Sequence, residues 1–262
     1  MISPLAYVHP DARLGADVTV EPFAYIAGDV EIGDGSWIGP GAVVHDGARL
    51  GKRCRVHTAA SVACLPQDLK FAGEKTLCEI GDDNDIREYV TISRGTASTG
   101  TTRIGDGNLL MAYVHVAHDC TVMNDIVMSN NATLAGHCLV EDGAIIAGLS
   151  AVHQFTRVGK HAFVGGMSGI SQDLPPWMLA VGNRALVQSP NIVGLRRIRA
   201  SQELVSAFKQ AYRLLWFSGI PRPDALLQLE AEYGHLPEIG EFIAFVRSSE
   251  RGILPAEERK RD

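Results

Sequence analysis

Residues 104–134, IGDGNLLMAYVHVAHDCTVMNDIVMSNNATL, place a large apolar side chain at Ile104, Leu110, Val116, Val122, Met128 and Leu134, one every six residues. The same phase runs outward in both directions. Of the twenty-eight positions from Val8 to Ile170 that carry it, only Asp68, Glu74 and Ser98 break the apolar run. Two residues before each of these positions the side chain is usually small, as at Ala12, Ala24, Ser36, Ala42, Ala132, Ala144 and Ala162. A period of six cannot be an amphipathic helix, whose apolar stripe repeats every 3.6 residues, nor a long alternating strand. It predicts a solenoid of parallel strands with short corners, three hexads and so eighteen residues to a coil, stacked at about 4.8 Å.

The three failures mark two excursions from the coil, at about residues 63–79 and 93–103. Long loops thrown out of a regular solenoid tend to carry function. After Ile170 the hexads stop. Residues 171–190 are punctuated by Pro and Gly and read as a connector, and from 191 the composition turns helical. A helix is predicted from about Ser201 to Ser218, a second capped by Asp224 and a third starting at Pro237, with the EERKRD tail solvated. The expected division is 1–190, solenoid with its excursions and connector, and 191–262, a small helical domain.

Composition excludes several classes. Apolar residues make up 46% and charged residues 21% of the 262, with a formal net charge of −6, so neither nucleic acid nor an anionic membrane is an indicated partner. No basic segment followed by an apolar run opens the chain, and no stretch has the length of a membrane span, so no membrane insertion and a cytoplasmic location are expected. The five cysteines show no CxxC pairing; Cys54, Cys120 and Cys138 fall on the small inward phase and are expected to pack in the core.

Eighteen-residue coils put positions 118, 136 and 154 in one column. His118, His137 and His153 therefore lie within one residue of a single stripe, with His115 on the same coil as His118, all on outward phases. Two chemistries compete for such a cluster. Three imidazoles can hold zinc with an open position, as in β-helix carbonic anhydrases. Alternatively, one imidazole acts as a general base on a substrate hydroxyl. Asp119, next to His118, and Gly136, whose backbone N–H an oxyanion can approach, favour the second, an acyl transfer without metal or other cofactor.

The hexads together with QDLKFAGE (67–74), IREYVTISRGT (86–96), HVAHDC, NATLAGH, AVHQF, NIVGLRR (191–197) and SSERGI resemble the UDP-N-acetylglucosamine O-acyltransferases of lipid A biosynthesis, over essentially the whole chain. The resemblance implies a mainly β fold, a left-handed parallel β-helix followed by a small α-helical domain. It implies a homotrimer with sites between neighbouring prisms, and transfer of a 3-hydroxyacyl group from acyl carrier protein to the glucosamine 3-position of UDP-N-acetylglucosamine. By position, His118 then matches the general base, Asp119 its orienting partner and Gly136 the oxyanion donor. Asp68 and Lys70 match substrate contacts, while His115, His137, His153 and Gln154 match residues lining the sugar and acyl site. Asn191 and Arg197 match the nucleotide end, and Gly166 the limit of the acyl pocket, with Met167 next to it in the chain and Arg184 a further position to examine. The chain departs from well-known members at Val193, where they carry a glutamate. The rival readings are the zinc enzyme, a non-catalytic hexapeptide scaffold and the related N-acyltransferase. The last would bring an additional N-terminal nucleotide-binding domain, whereas the hexads here begin at Val8.

Overall fold

The computed structural model describes residues 1–257, so most of the EERKRD tail, 258–262, lies outside the described residues. The six-residue period becomes a strand of about two residues followed by a four-residue corner. Among the described residues the strands form three sheets of nine, eight and ten strands, which are the faces of a three-sided parallel β-helix. The first face holds Tyr25–Ile26, Ser61–Cys64, His115–Val116 and Gly169–Ile170; the second holds Arg13–Leu14, Thr121–Val122 and Arg157–Val158; the third holds Thr19–Val20, Val127–Met128 and Phe163–Val164. Regular coils pair residues eighteen apart, as His115 with Thr133 and Thr133 with Ala151.

The inward positions explain the pattern. Ile26, Val44, Val62, Ile92, Val116 and Leu134 stack as a fully buried column on the first face. Each such side chain contributes about 1.5–3 kcal/mol by leaving water. Cys54, Cys120 and Cys138 are buried among the small inward residues. The corners impose a second requirement on the same period. Three residues after the large apolar position, the backbone turns left-handed, as at Asp17, Arg53, Tyr113, Asp119, Asn131 and His137, as well as at Gly35, Gly41 and Gly143. Non-glycine residues rarely adopt this conformation, and Asp, Asn and His tolerate it best.

Both excursions are narrower than the sequence suggested. Strand extends through Cys64 and resumes at Leu77; it then extends through Ser93 and resumes at Thr101. The loops are therefore 65–76 and 94–100. Both leave from the corner between the first and second faces, on successive coils. Eighteen residues separate Val62 from Ile80 and twelve separate Ile92 from Ile104, where six would close a corner. Both insertions are multiples of six, which is why the hexad phase survives them.

Residues 171–190 are not a plain connector. Met178–Val181 continues the third face, parallel to Phe163–Val164, and pairs antiparallel with Leu186–Pro190. Pro175, Pro176 and Gly182 mark the ends of this hairpin rather than an absence of strand. Among the described residues four helices follow: α1 (Ile192–Arg197), α2 (Gln202–Phe217), α3 (Arg222–Tyr233) and α4 (Pro237–Arg247). Ser201 caps α2, its hydroxyl accepting from Leu204 N–H at 3.1 Å, and α4 starts at Pro237. Asp224 is not a cap. Pro221 precedes α3, so Asp224 falls in the first turn, where its charge still suits the positive end of the helix. The short α1 was not foreseen as a separate helix, because six residues carry too little periodicity.

The helices dock on the last coils through Trp177, Phe208 and Phe242, whose rings lie 5.9 Å apart in sequence. Buried Asp173 accepts from Arg157 N–H and Nε and from the Ser249 hydroxyl, while the Arg157 guanidinium lies 4.1 Å over the Phe245 ring. No described helix is long and apolar enough to cross a membrane.

Candidate active site

His118 sits in the first-to-second-face corner, one coil beyond the two loops. Asp119 occupies the left-handed position of that corner (φ 60°), and its side chain is wholly buried. All four lone-pair positions of the carboxylate are filled. Oδ1 accepts from Thr96 N–H at 3.0 Å and the Thr99 hydroxyl at 2.5 Å; Oδ2 accepts from the Thr96 hydroxyl at 2.7 Å and His118 Nδ1 at 2.8 Å. Burial by itself pushes the carboxyl up, but the Thr99, Thr96 and His118 donors outweigh it and hold the pKa down at about 2. The group is thus a carboxylate at neutral pH and can only accept. In neutral His118 the proton is accordingly on Nδ1, and the Nε2 lone pair is free.

The His118 ring lies over Gly136. A Cβ built on Gly136 would stand 2.6 Å from His118 Cε1 and 2.8 Å from Nε2, so the imidazole takes the space that any side chain would fill. The Gly136 N–H donates to no acceptor among the described residues. A basic nitrogen and an unengaged amide are therefore adjacent.

The other histidines separate. His137, at the left-handed position one coil on, meets His118 edge-on at 5.2 Å and stacks on Phe155 at 4.5 Å; its Nε2 is 3.6 Å from Asp119 Oδ2, beyond hydrogen-bond range. His115 Nδ1 pairs with the Thr91 hydroxyl at 2.7 Å, and burial and His118 lower its pKa. His153 is exposed with Gln154, whose carbonyl lies 3.0 Å from His153 Nδ1. Among the described residues, His118, Asp119 and His137 are the one trio of metal-type donors with ligand atoms within 4.8 Å of one another. With its lone pairs already directed at two hydroxyls, an amide and an imidazole, Asp119 fits the role of hydrogen-bond acceptor rather than that of metal ligand.

Asp68 and Lys70 lie in the 65–76 loop, where Asp68 Oδ1 accepts from Lys70 N–H at 3.0 Å; among the described residues no hydrogen bond or ion pair joins them to His118. The loop does reach its neighbour, since Glu74 Oε1 accepts from Ala97 N–H at 2.9 Å. Asn191 and Arg197 lie elsewhere, on a cleft of about 450 Å³ lined also by His161, Phe163, Leu179 and Val193. This cleft borders the second-to-third-face corner, so the width of the second face separates it from His118 on one chain. Asn191 is the N-cap of α1: its Oδ1 accepts from Gly194 N–H and its Nδ2 donates to the His161 carbonyl, each at 2.9 Å. Arg197 is exposed at the end of the same helix, and Val193 gives the cleft an apolar wall. Gly166 has no left-handed φ, and a Cβ there would meet only the Gly148 carbonyl oxygen at 3.5 Å, so the backbone does not require glycine.

Sequence reading missed Thr96, Thr99 and Thr102, the last accepting the Asp119 N–H at 2.8 Å. The available signal was the hydroxyl-rich RGTASTGTT run. The six extra residues of the second loop put Thr96 and Thr99 twenty-three and twenty residues before Asp119 instead of eighteen, which hid the pairing.

A three-sided β-helix built on six-residue repeats, with an imidazole–carboxylate pair at one corner, is the architecture of the hexapeptide-repeat transferases. Residues 29–63 match the bacterial transferase hexapeptide family and residues 173–254 match the second domain of UDP-N-acetylglucosamine O-acyltransferase. Over 254 residues the chain is 54% identical to the acyl-[acyl-carrier-protein]–UDP-N-acetylglucosamine O-acyltransferase of Alkalilimnicola ehrlichii, covering 97% of this chain and 98% of that one. It is 48% identical over 259 residues to the enzyme of the same name from a Janthinobacterium species, covering 97% and 99%. A solved UDP-N-acetylglucosamine acyltransferase from Bacteroides fragilis superimposes with a TM-score of 0.95 at 44% identity, over 97% of this chain and all of that one. The chain belongs to the UDP-N-acetylglucosamine O-acyltransferase family.

Proposed function

We propose that this protein transfers a 3-hydroxyacyl group from acyl carrier protein to the 3-hydroxyl of the glucosamine in UDP-N-acetylglucosamine, the first step of lipid A biosynthesis, in the cytoplasm. The observation that carries this reading is the His118–Asp119 pair set over the Gly136 amide in a chain of this family. His118 Nε2 takes the proton of the 3-hydroxyl as its oxygen attacks the thioester carbonyl carbon. The Gly136 N–H donates to the oxyanion of the tetrahedral intermediate. The C–S bond then breaks, and the leaving thiolate takes the proton back from His118. Asp119 remains a carboxylate throughout, orienting the ring and stabilising the imidazolium.

Asp68, Lys70, His115, His137, His153 and Gln154 serve as contacts for sugar and acyl chain, Asn191 and Arg197 for the nucleotide, and Gly166 as the end of the acyl groove. The placement of His118 and of the Arg197 cleft on different prism edges favours a homotrimer, in which one nucleotide sugar reaches the base of one chain and the cleft of its neighbour. Arg196, Arg197 and Arg199, in a chain of net charge −6, suit a diphosphate and an acidic carrier protein. The test is a mass spectrum of the product from UDP-N-acetylglucosamine and a mixed 3-hydroxyacyl carrier-protein pool. An O-acylated nucleotide sugar is expected, with turnover about 10²–10⁴ lower in His118→Ala. No product, or wild-type turnover in that variant, refutes the assignment.

A further inference from the structure

Two imidazoles compete for one carboxylate. Asp119 Oδ2 is 2.8 Å from His118 Nδ1 and 3.6 Å from His137 Nε2, and the two rings meet edge-on at 5.2 Å. A modest swing of the carboxylate about its χ2 would exchange one partner for the other, because terminal carboxylate torsions are broad and soft. Something must hold the plane of the group, and in this fold it is the 94–100 loop.

We propose that Thr96 and Thr99 are positioning residues that fix the Asp119 carboxylate so that it pairs with His118 instead of His137, and so decide which histidine becomes the base and which of its nitrogens is free. The directions of the hydroxyl protons follow from their partners. The Thr96 hydroxyl oxygen accepts from Ser98 N–H at 3.2 Å, leaving its proton for Asp119 Oδ2 at 2.7 Å. The Thr99 hydroxyl faces two acceptors, Asp119 Oδ1 at 2.5 Å and the Thr101 carbonyl at 3.1 Å, and the shorter, charge-assisted bond to the carboxylate takes the proton. With the Thr96 N–H as a third donor, three fixed bonds leave one lone pair, on Oδ2, directed at His118. The loop is itself braced from the 65–76 loop by Glu74, which accepts the Ala97 N–H. A solenoid corner of ordinary length would carry neither threonine to this place; the extra six residues of the second excursion do.

The proposal rests on His118 being the base, and the experiment separates the two. Thr96→Val/Thr99→Val removes both hydroxyls at nearly constant volume, and Thr96→Ser/Thr99→Ser keeps them. The single variant Thr99→Val stands in if the double valine variant unfolds. Each is assayed for kcat and KM, and the His118 tautomer is read from long-range ¹H–¹⁵N correlations, assigned with His118→Gln. The expected result is a kcat about 10- to 100-fold lower in the valine variants with KM little changed, as for a misplaced catalytic group. The His118 tautomer should shift from all Nδ1–H to a mixture, and the serine variants should restore both. A valine variant with wild-type kcat and tautomer overturns the proposal, as do serine variants no better than valine ones, which would reduce the effect to packing. Wild-type turnover in His118→Gln would instead remove the base assignment, while the tautomer still reports whether the threonines orient the ring.

Discussion

Gly136→Ala tests the site at its tightest contact. Gly136 does not sit at a left-handed φ, so alanine fits the backbone, and it keeps the N–H assigned to the oxyanion. What it adds is a Cβ 2.6 Å from His118 Cε1 and 2.8 Å from Nε2, against about 3.4 Å for an ordinary contact. The ring edge must retreat by about 1 Å. It cannot do so without lengthening the 2.8 Å bond between Nδ1 and Asp119, since both contacts act on one rigid ring. A misplacement of about 1 Å costs roughly 10²-fold in rate. The expected outcome is therefore a kcat lower by about two orders of magnitude, a KM within a few fold and an unaltered thermal midpoint, because His118 is no part of the buried apolar core. The assay is steady-state transfer from 3-hydroxyacyl carrier protein to UDP-N-acetylglucosamine, with thermal unfolding alongside. A kcat within threefold of wild type would show that His118 need not stand where it does, and the mechanism built on it would fall.

Gly166→Met should shift donor preference toward shorter 3-hydroxyacyl chains by an order of magnitude or more, since each lost methylene contact removes about 0.8 kcal/mol; competition between donors of different length measures it, and an unchanged preference would move attention to Met167 and Arg184. Activity should survive exhaustive chelation, because Asp119 already holds four hydrogen bonds; loss of turnover restored by zinc would establish the metal reading instead. Asp173→Ala should destabilise the chain by about 3 kcal/mol, as removal of one partner of a buried ion pair does, by leaving Arg157 without its carboxylate where the helices dock. Denaturant unfolding reads this out, and a change below about 1 kcal/mol would assign the docking to the aromatic contacts alone.

The period of six was sufficient to determine the β-helix, because a strand buried on one side with a fixed corner allows only one spacing of large and small inward residues. It also determined the column that holds His118, Gly136 and Gln154, since eighteen residues to a coil is a matter of counting. The Ser201 cap and the Pro237 start of α4 were equally local signals. Tertiary structure decided the rest. Whether Asp119 met His118 or His137 depended on three donors from the second excursion, whose six extra residues take them out of the eighteen-residue register. That Asn191 caps α1, with both amide atoms engaged, depended on the His161 carbonyl thirty residues away. The 178–190 hairpin could be seen only against the Phe163–Val164 strand that its first arm extends, because its prolines and Gly182 are the same in a loop as at a strand end. Contacts within a coil repeat with the sequence, and so can be read from it. Contacts made by insertions and by the helical segment are set by distances in space that no period encodes.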